Sequence, residues 1–351
     1  MSQNRVLYSK GALLRLAQDI FAAAGVKAGD AELWADVLIW ANLRGVDSHG
    51  VLRIPEYIAH MDDGKLNVGA ELKIARQAGA AVTIDADQAP GPIAIAAAMD
   101  EAIGRARDVQ VGWCVVRNMT HAGAIGYFAL QAARQGFAGL VMTSSRPLMA
   151  YPGARTPAAS TNPIAIAVPG GEHPPLFVDM STSASGMGKI SQAKDAGTSI
   201  PEGWAVDDKG QTTTDPHSAA MLSPAAGPKG AGLSLMIECL TSLFAGFPLI
   251  EYALETGAPR FGRPMNGLAI AVDVSAFGDL ATFRGLADGL ARQLGNLPTV
   301  DGVDQVYAPG ERGDAVLAKR EIDGIPVAAG TIKRLEGIAE RFGITMPLAD
   351  G

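Results

Sequence analysis

Cysteine is nearly absent. Cys114 and Cys239 are the two in 351 residues, and both sit in apolar surroundings. So small a number excludes a disulfide framework or a cysteine-rich zinc module, and the pair reads as reduced core thiols. Aromatic residues make up 6% of the chain, so packing must rest on small aliphatic side chains. No run of lysine and arginine occurs, and the formal net charge is −7, which excludes a nucleic-acid or anionic-membrane surface. It does not exclude an acidic ligand, because binding one depends on a local cation. Long apolar runs are also missing. The longest such stretch, residues 232–250, contains Glu238 and ends near Pro248, which suits a buried helix and not a membrane span. Met1-Ser2-Gln3-Asn4-Arg5 has no signal-peptide apolar region, so the expectation is a cytoplasmic protein.

Several motifs are missing as well. No Gly-x-Gly-x-x-Gly occurs, so a conventional dinucleotide fold lacks support. Residues 183–190, Ser-Ala-Ser-Gly-Met-Gly-Lys-Ile, approach a P-loop, but the first glycine is absent and Ile190 replaces the hydroxyl residue needed at magnesium. The five histidines, His49, His60, His121, His173 and His217, show no zinc-type pairing, so no metal is expected.

What is present reads as a layered α/β protein. The spacing of apolar residues predicts helices over 10–24, 31–43 and 50–61. Strands are predicted at 81–85, 109–116, 138–144, 165–168, 176–179 and 268–274, and helices at 92–107, 124–135, 230–246 and 281–294. Residues 200–228, rich in Gly, Pro, Asp and Thr, read as a long ordered loop. A helix over 330–342 is expected to return to the N-terminal helices.

Three constellations can carry chemistry. The first is Arg44-Gly45-Val46-Asp47-Ser48-His49-Gly50, followed by Arg53 and Tyr57. On a helix, His49, Arg53 and Tyr57 would share one face at i, i+4 and i+8, with Ser48 near the N-cap. This is either a row of substrate-facing groups or a capped helix with a polar face. A hydrolase triad is rejected, because adjacent residues project in different directions. The second is Thr120-His121-Ala122-Gly123-Ala124, between a strand and a helix, where the helix dipole would keep His121 neutral. The third is Gly227-Pro228-Lys229-Gly230 at a helix start, suited to a phosphate or carboxylate. For both, a purely structural loop is the other reading.

These segments together resemble the malate/L-lactate dehydrogenase family of non-Rossmann NAD(P)-dependent oxidoreductases. The resemblance also runs through Ser160-Thr161-Asn162-Pro163, Asp179-Met180-Ser181-Thr182, Gly188-Lys189 and Pro309-Gly310-Glu311-Arg312. Within the family, residues 201–216 look most like the ureidoglycolate dehydrogenases, from which Asp47 departs where those enzymes carry histidine. The resemblance implies that His121 is the proton acceptor and donor, with Ser48 and His49 beside it. It implies Arg53, Tyr57 and Arg44 on the substrate side. It implies cofactor contacts from Ser145, Asp179, Met180, Ser181, Lys229, Gly310, Glu311 and Arg312. The fold implied is a helical substrate-side domain, 1–75 with a C-terminal helix 315–351, plus a mixed α/β domain, 76–314, for NAD or NADP. A homodimer with its site near the subunit interface and a small carboxylate substrate are implied too. A cyclic-imine reductase of the same fold is the nearest alternative, and a non-catalytic small-acid binder a remote one.

Overall fold

The computed structural model describes residues 5–260 and 262–349. Strand β1 (Arg5–Tyr8) leads into helices α1 (Lys10–Ala23), α2 (Ala28–Leu43) and α3 (Ile54–Asp62). Next come β2 (Lys73–Ala78), β3 (Ala81–Asp85), α4 (Gly91–Val109), β4 (Val111–Met119), α5 (Gly126–Arg134) and β5 (Phe137–Ser144). The short β6 (Met149–Ala150) and β7 (Pro157–Ala159) precede β8 (Ile164–Val168), β9 (Leu176–Met180) and α6 (Met187–Ala196). Three two-residue strands follow, β10 (Ala205–Val206), β11 (Thr212–Thr213) and β12 (Met221–Leu222). The chain closes with α7 (Pro228–Glu238), α8 (Ile250–Thr256), β13 (Met265–Asp273), α9 (Leu280–Gly295), α10 (Glu311–Asp323), β14 (Ile325–Ala328) and α11 (Ala329–Phe342).

Among the described residues the largest sheet has seven strands, in the order β2-β3-β4-β13-β5-β8-β9. Only β3 and β4 pair in parallel; β13 runs antiparallel between β4 and β5. Helices α4 and α5 cover one face with alanine-rich surfaces, Ala94, Ala98, Ala102, Ala106, Ala129 and Ala132, all fully buried. The scarcity of aromatics thus becomes close helix-on-sheet packing. A second core joins α1, α2 and α3 to β14 and α11. There the Phe21 and Trp34 rings stack at 4.2 Å, and Trp34 lies 5.0 Å from the Tyr57 ring.

The structure corrects several expectations. Residues 200–228 are not a loop: β10, β11 and β12 join β6 and β7 in a five-stranded sheet. Two-residue strands carry too little alternation to be read from sequence. The expected helix over 230–246 is α7 followed by a wider π-type turn, Cys239–Leu243. The single C-terminal helix 315–351 is two helices, α10 and α11, split by β14, which pairs with β1. Gly324, at φ 92°, ends α10 there. Residues 1–4 and 350–351 of the expected segments lie outside the described residues. Among the described residues no helix is long and apolar enough to cross a membrane, and none forms a cluster of three or more potential metal ligands. Both cysteines are free thiols.

Candidate active site

The segment from Arg44 to Tyr57 is not one helix from His49 onward. It makes two 3-10 turns, Asp47–His49 and Val51–Arg53, before α3 begins at Ile54. Asn42, buried at the end of α2, is the cause. Its amide donates to Asp47 Oδ1 at 2.8 Å, and its Oδ1 accepts from the Val51 N–H at 2.8 Å. Gly50 lies so close that an added Cβ would stand 2.1 Å from Asn42 Oδ1. Asp47 accepts two hydrogen bonds from Arg320 of α10, at 2.6 and 3.1 Å. That ion pair gives Asp47 a structural role. Ser48 does not cap a helix; its Oγ lies 3.0 Å from His49 Nδ1.

This turn brings His49 and Tyr57 to His121, although they do not share a helical face. The Tyr57 hydroxyl and His121 Nδ1 are 2.8 Å apart. The His49 and His121 rings stack at 5.3 Å with 21° between their planes. His121 follows β4 in a loop tied down by Thr120, whose N–H and Oγ1 both donate to Ala89 O at 3.0 and 3.1 Å. Thr120 Oγ1 also accepts from the Gly91 N–H at 3.2 Å. A Cβ at Gly91 would stand 2.5 Å from His121 O, so only glycine lets α4 approach this loop.

Burial first, then the charges of Arg53, His49 and His60, hold His121 well below the ordinary histidine range. Burial and Arg53 lower His49 to about 4. Burial raises the Tyr57 phenol, so it stays protonated. His121 does not sit at a helix N-terminus, as the expected dipole effect requires. His121 stands five residues before α5, and the first N–H of that helix, at Gly126, donates to Asp179 Oδ2 at 2.7 Å.

A stability prediction follows from the two lowered histidines. Unfolded, each takes a proton near 6.5, whereas the folded protein resists it. The unfolded state therefore binds more protons below that value, and stability is lost as pH falls from 6.5 toward 4. His49 alone accounts for about 3 kcal/mol of this loss. Urea unfolding of wild type and His49→Asn at pH 7 and pH 4.5 checks it. The variant should lose less on acidification, and equal losses would contradict the prediction.

Arg53 and Arg44 differ. Arg53 Nε donates to Ser48 O at 2.7 Å and its charge presses on both histidines. Arg44 does not join that group by any contact. It is buried, pairs with Asp314, donates to Gly310 O at 2.7 Å, and lies 4.6 Å over the Phe177 ring. These contacts fasten the start of α10 to α2 and β9.

The segments expected to meet a cofactor are contiguous along β9 and its exit. Phe177 N–H donates to Pro309 O, which sets Gly310, Glu311 and Arg312 beside the strand. Glu311 is held by His173 Nε2 at 2.8 Å, and the Arg312 guanidinium lies 5.9 Å from the Tyr307 ring. Much of Asp179 is open to solvent, yet burial of its carboxyl against α5 raises its pKa to about 6, against the Gly126 N–H and Arg44. Met180 is about half exposed, and Ser181 Oγ lies 3.0 Å from Ser183 Oγ. Thr182 O accepts from Ala225 N–H at the entry to α7, whose first turn carries the exposed Lys229. Ser145 Oγ meets Ser160 Oγ at 2.6 Å, and Ser160 O accepts from Ser234 of α7 at 2.7 Å. A Cβ added at Gly188, in the first turn of α6, would stand 3.8 Å from Ser48 Cβ, so this helix start passes beside the Ser48 turn.

The family model for malate/L-lactate dehydrogenase matches residues 8–336. The chain belongs to the malate/L-lactate dehydrogenase family. It is 34% identical to the NAD(+) ureidoglycolate dehydrogenase of Escherichia coli K12 over 320 residues, 91% of this chain and 92% of that one. It is also 34% identical to the (2R)-3-sulfolactate dehydrogenase (NADP(+)) of Chromohalobacter salexigens, over 87% of this chain and 90% of that one. The crystal structure of malate dehydrogenase from Entamoeba histolytica superposes with a TM-score of 0.91 at 27% identity, covering 98% of this chain and 100% of that one.

Within this family fold, sequence reasoning missed the supports behind the site. Asn42 reads as one more residue of an apolar helix. Asn266 accepts from the Asn118 N–H at 3.0 Å, where Asn118 takes φ 57° three residues before His121. Its amide donates to Ser242 Oγ, which in turn donates to the buried Glu238. A buried asparagine in a strand pattern was the only available signal for Asn266.

Proposed function

We propose that the protein is an NAD(P)-dependent dehydrogenase of small 2-hydroxy acids. The observation that carries this reading is the pair of buried Tyr57 and half-buried His121, with His121 stacked on His49 and flanked by Arg53. Arg53 Nη2 has no hydrogen-bond partner among the described residues, which leaves it free for a substrate carboxylate. Neutral His121 Nε2 accepts the substrate hydroxyl proton, while Tyr57 keeps the ring oriented through Nδ1. In the reverse direction the imidazolium returns that proton to the carbonyl oxygen. His49 and Ser48 wall the substrate side, while Arg44, held by Asp314 and Gly310 O, stands apart from it.

The residues along β9 fit a dinucleotide by their chemistry. Asp179, whose Oδ2 is taken by the Gly126 N–H, would offer Oδ1 to a ribose hydroxyl, and Lys229 at the α7 N-terminus offers charge and N–H groups for phosphates. Ser145, Met180, Ser181, Gly310, Glu311 and Arg312 would complete the cradle. A bound nicotinamide supplies the hydride chemistry; the protein supplies alignment and proton transfer. We assign the substrate side to residues 1–75 with 315–351, and the cofactor side to 76–314. A homodimer with its site near the interface, in the cytoplasm, completes the proposal; the half-exposed Leu243 and more exposed Phe244 suit such contact.

A substrate panel tests it. Malate, lactate, sulfolactate and ureidoglycolate with NAD and NADP, and pyruvate and Δ1-piperideine-2-carboxylate with the reduced forms, are to be assayed. At least one 2-hydroxy acid should turn over. Reduction of the cyclic imine alone would favour the imine-reductase reading, and absence of cofactor binding the non-catalytic one.

A further inference from the structure

Glu56 stands on the first turn of α3, three residues after Arg53, with its side chain 49% exposed. Its Oε2 lies 2.6 Å from Arg53 Nη1. As a surface i,i+3 pair this contributes little to stability. Its partner, however, is the arginine whose charge bears on both histidines. With Nε on Ser48 O and Nη1 on Glu56, one terminal nitrogen of Arg53 is left for a ligand. Around the reacting end Arg53 is the cation bearing on His121 and His49, and Tyr57 feels Arg53 and, with opposite sign, Glu56. Glu56 thus sets a half-exposed carboxylate against the one arginine that bears on both histidines.

A substrate with one carboxylate can take the free edge of Arg53 and leave a neutral group facing the rim. A second carboxylate or a sulfonate would meet Glu56 and compete with it for the same arginine. We infer that Glu56 is a specificity-determining residue that selects singly charged 2-hydroxy or 2-oxo acids with a neutral polar tail over dianionic ones. The inference rests on the reading of this cleft as a small-acid site.

Oxamate and oxalate test it, because they are nearly the same size and differ by one charge. Their dissociation constants are to be measured by calorimetry on the full chain with saturating reduced cofactor. Wild type should prefer oxamate, and Glu56→Gln should move the ratio toward oxalate by roughly tenfold, as removal of a like charge at a binding site does. Glu56→Asp, which keeps the charge, should keep the wild-type preference. A ratio unmoved in Glu56→Gln, or a wild type that prefers oxalate, overturns the role of Glu56 while leaving the small-acid site standing. Binding of neither anion overturns both.

Discussion

Replacing His121 with alanine should lower kcat for 2-hydroxy acid oxidation by about 10²–10⁴, the usual scale for losing a general acid–base group. Cofactor affinity should stay within about twofold, because the residues along β9 are separate from the His121 ring. The size of the effect follows from the site's construction. His121 is enclosed, its Nδ1 is engaged by Tyr57, and burial and three neighbouring cationic or titratable groups keep it unprotonated. His49 is built alike, lowered by burial and Arg53 with its Nδ1 against Ser48 Oγ, and the His121 variant tells which of the two carries the proton. Steady-state kinetics and cofactor titration of the purified variant check this. Turnover within threefold of wild type would remove His121 from the mechanism.

Arg53→Met should lower kcat/KM by about 10²–10³, the range for truncating one partner of a desolvated, hydrogen-bonded charge pair. The same variant has a second signature. Arg53 is the first charge, after burial, among the causes that hold His121 down. Without it the imidazolium costs less, so the acid limb of the kcat/KM profile for oxidation should move to higher pH. The sign is fixed: a base whose proton affinity rises is lost at a higher pH as acid is added. A fall in kcat/KM with an unmoved acid limb would mean that Arg53 holds substrate without tuning His121. An unchanged kcat/KM would remove it from the site altogether.

Sequence patterns carried the long elements well. The helices near α1, α2, α4 and α5 and the strands near β4, β5 and β13 follow from apolar spacing, because each buries a face large enough to imprint a period. The small sheet of β6, β7, β10, β11 and β12 was illegible, since two or three residues cannot show alternation. Pairing of β1 with β14 was equally hidden, because it joins the two ends of the chain. At the site, the helical face expected to join His49, Arg53 and Tyr57 does not hold, and their meeting with His121 was implied by the resemblance alone. The 3-10 turns are set by Asn42 and Gly50, a buried amide against a missing Cβ, and such contacts leave no periodic trace. Arg44 and Arg53 were grouped because they are close in sequence. Folding separates them: one is clamped under α10 by Asp314 and Gly310, the other turns toward the histidines.

The dehydrogenase reading stands or falls on where the hydrogen at C2 of the substrate goes. A 2-hydroxy acid deuterated at C2, drawn from the panel and incubated with oxidised cofactor, provides the test. The deuterium should appear on the reduced nicotinamide, with the rate slowed relative to the protiated acid, and His121→Ala should suppress its transfer. Deuterium released to water, or retained in the acid while wild-type protein binds both ligands, would contradict hydride transfer in this cleft.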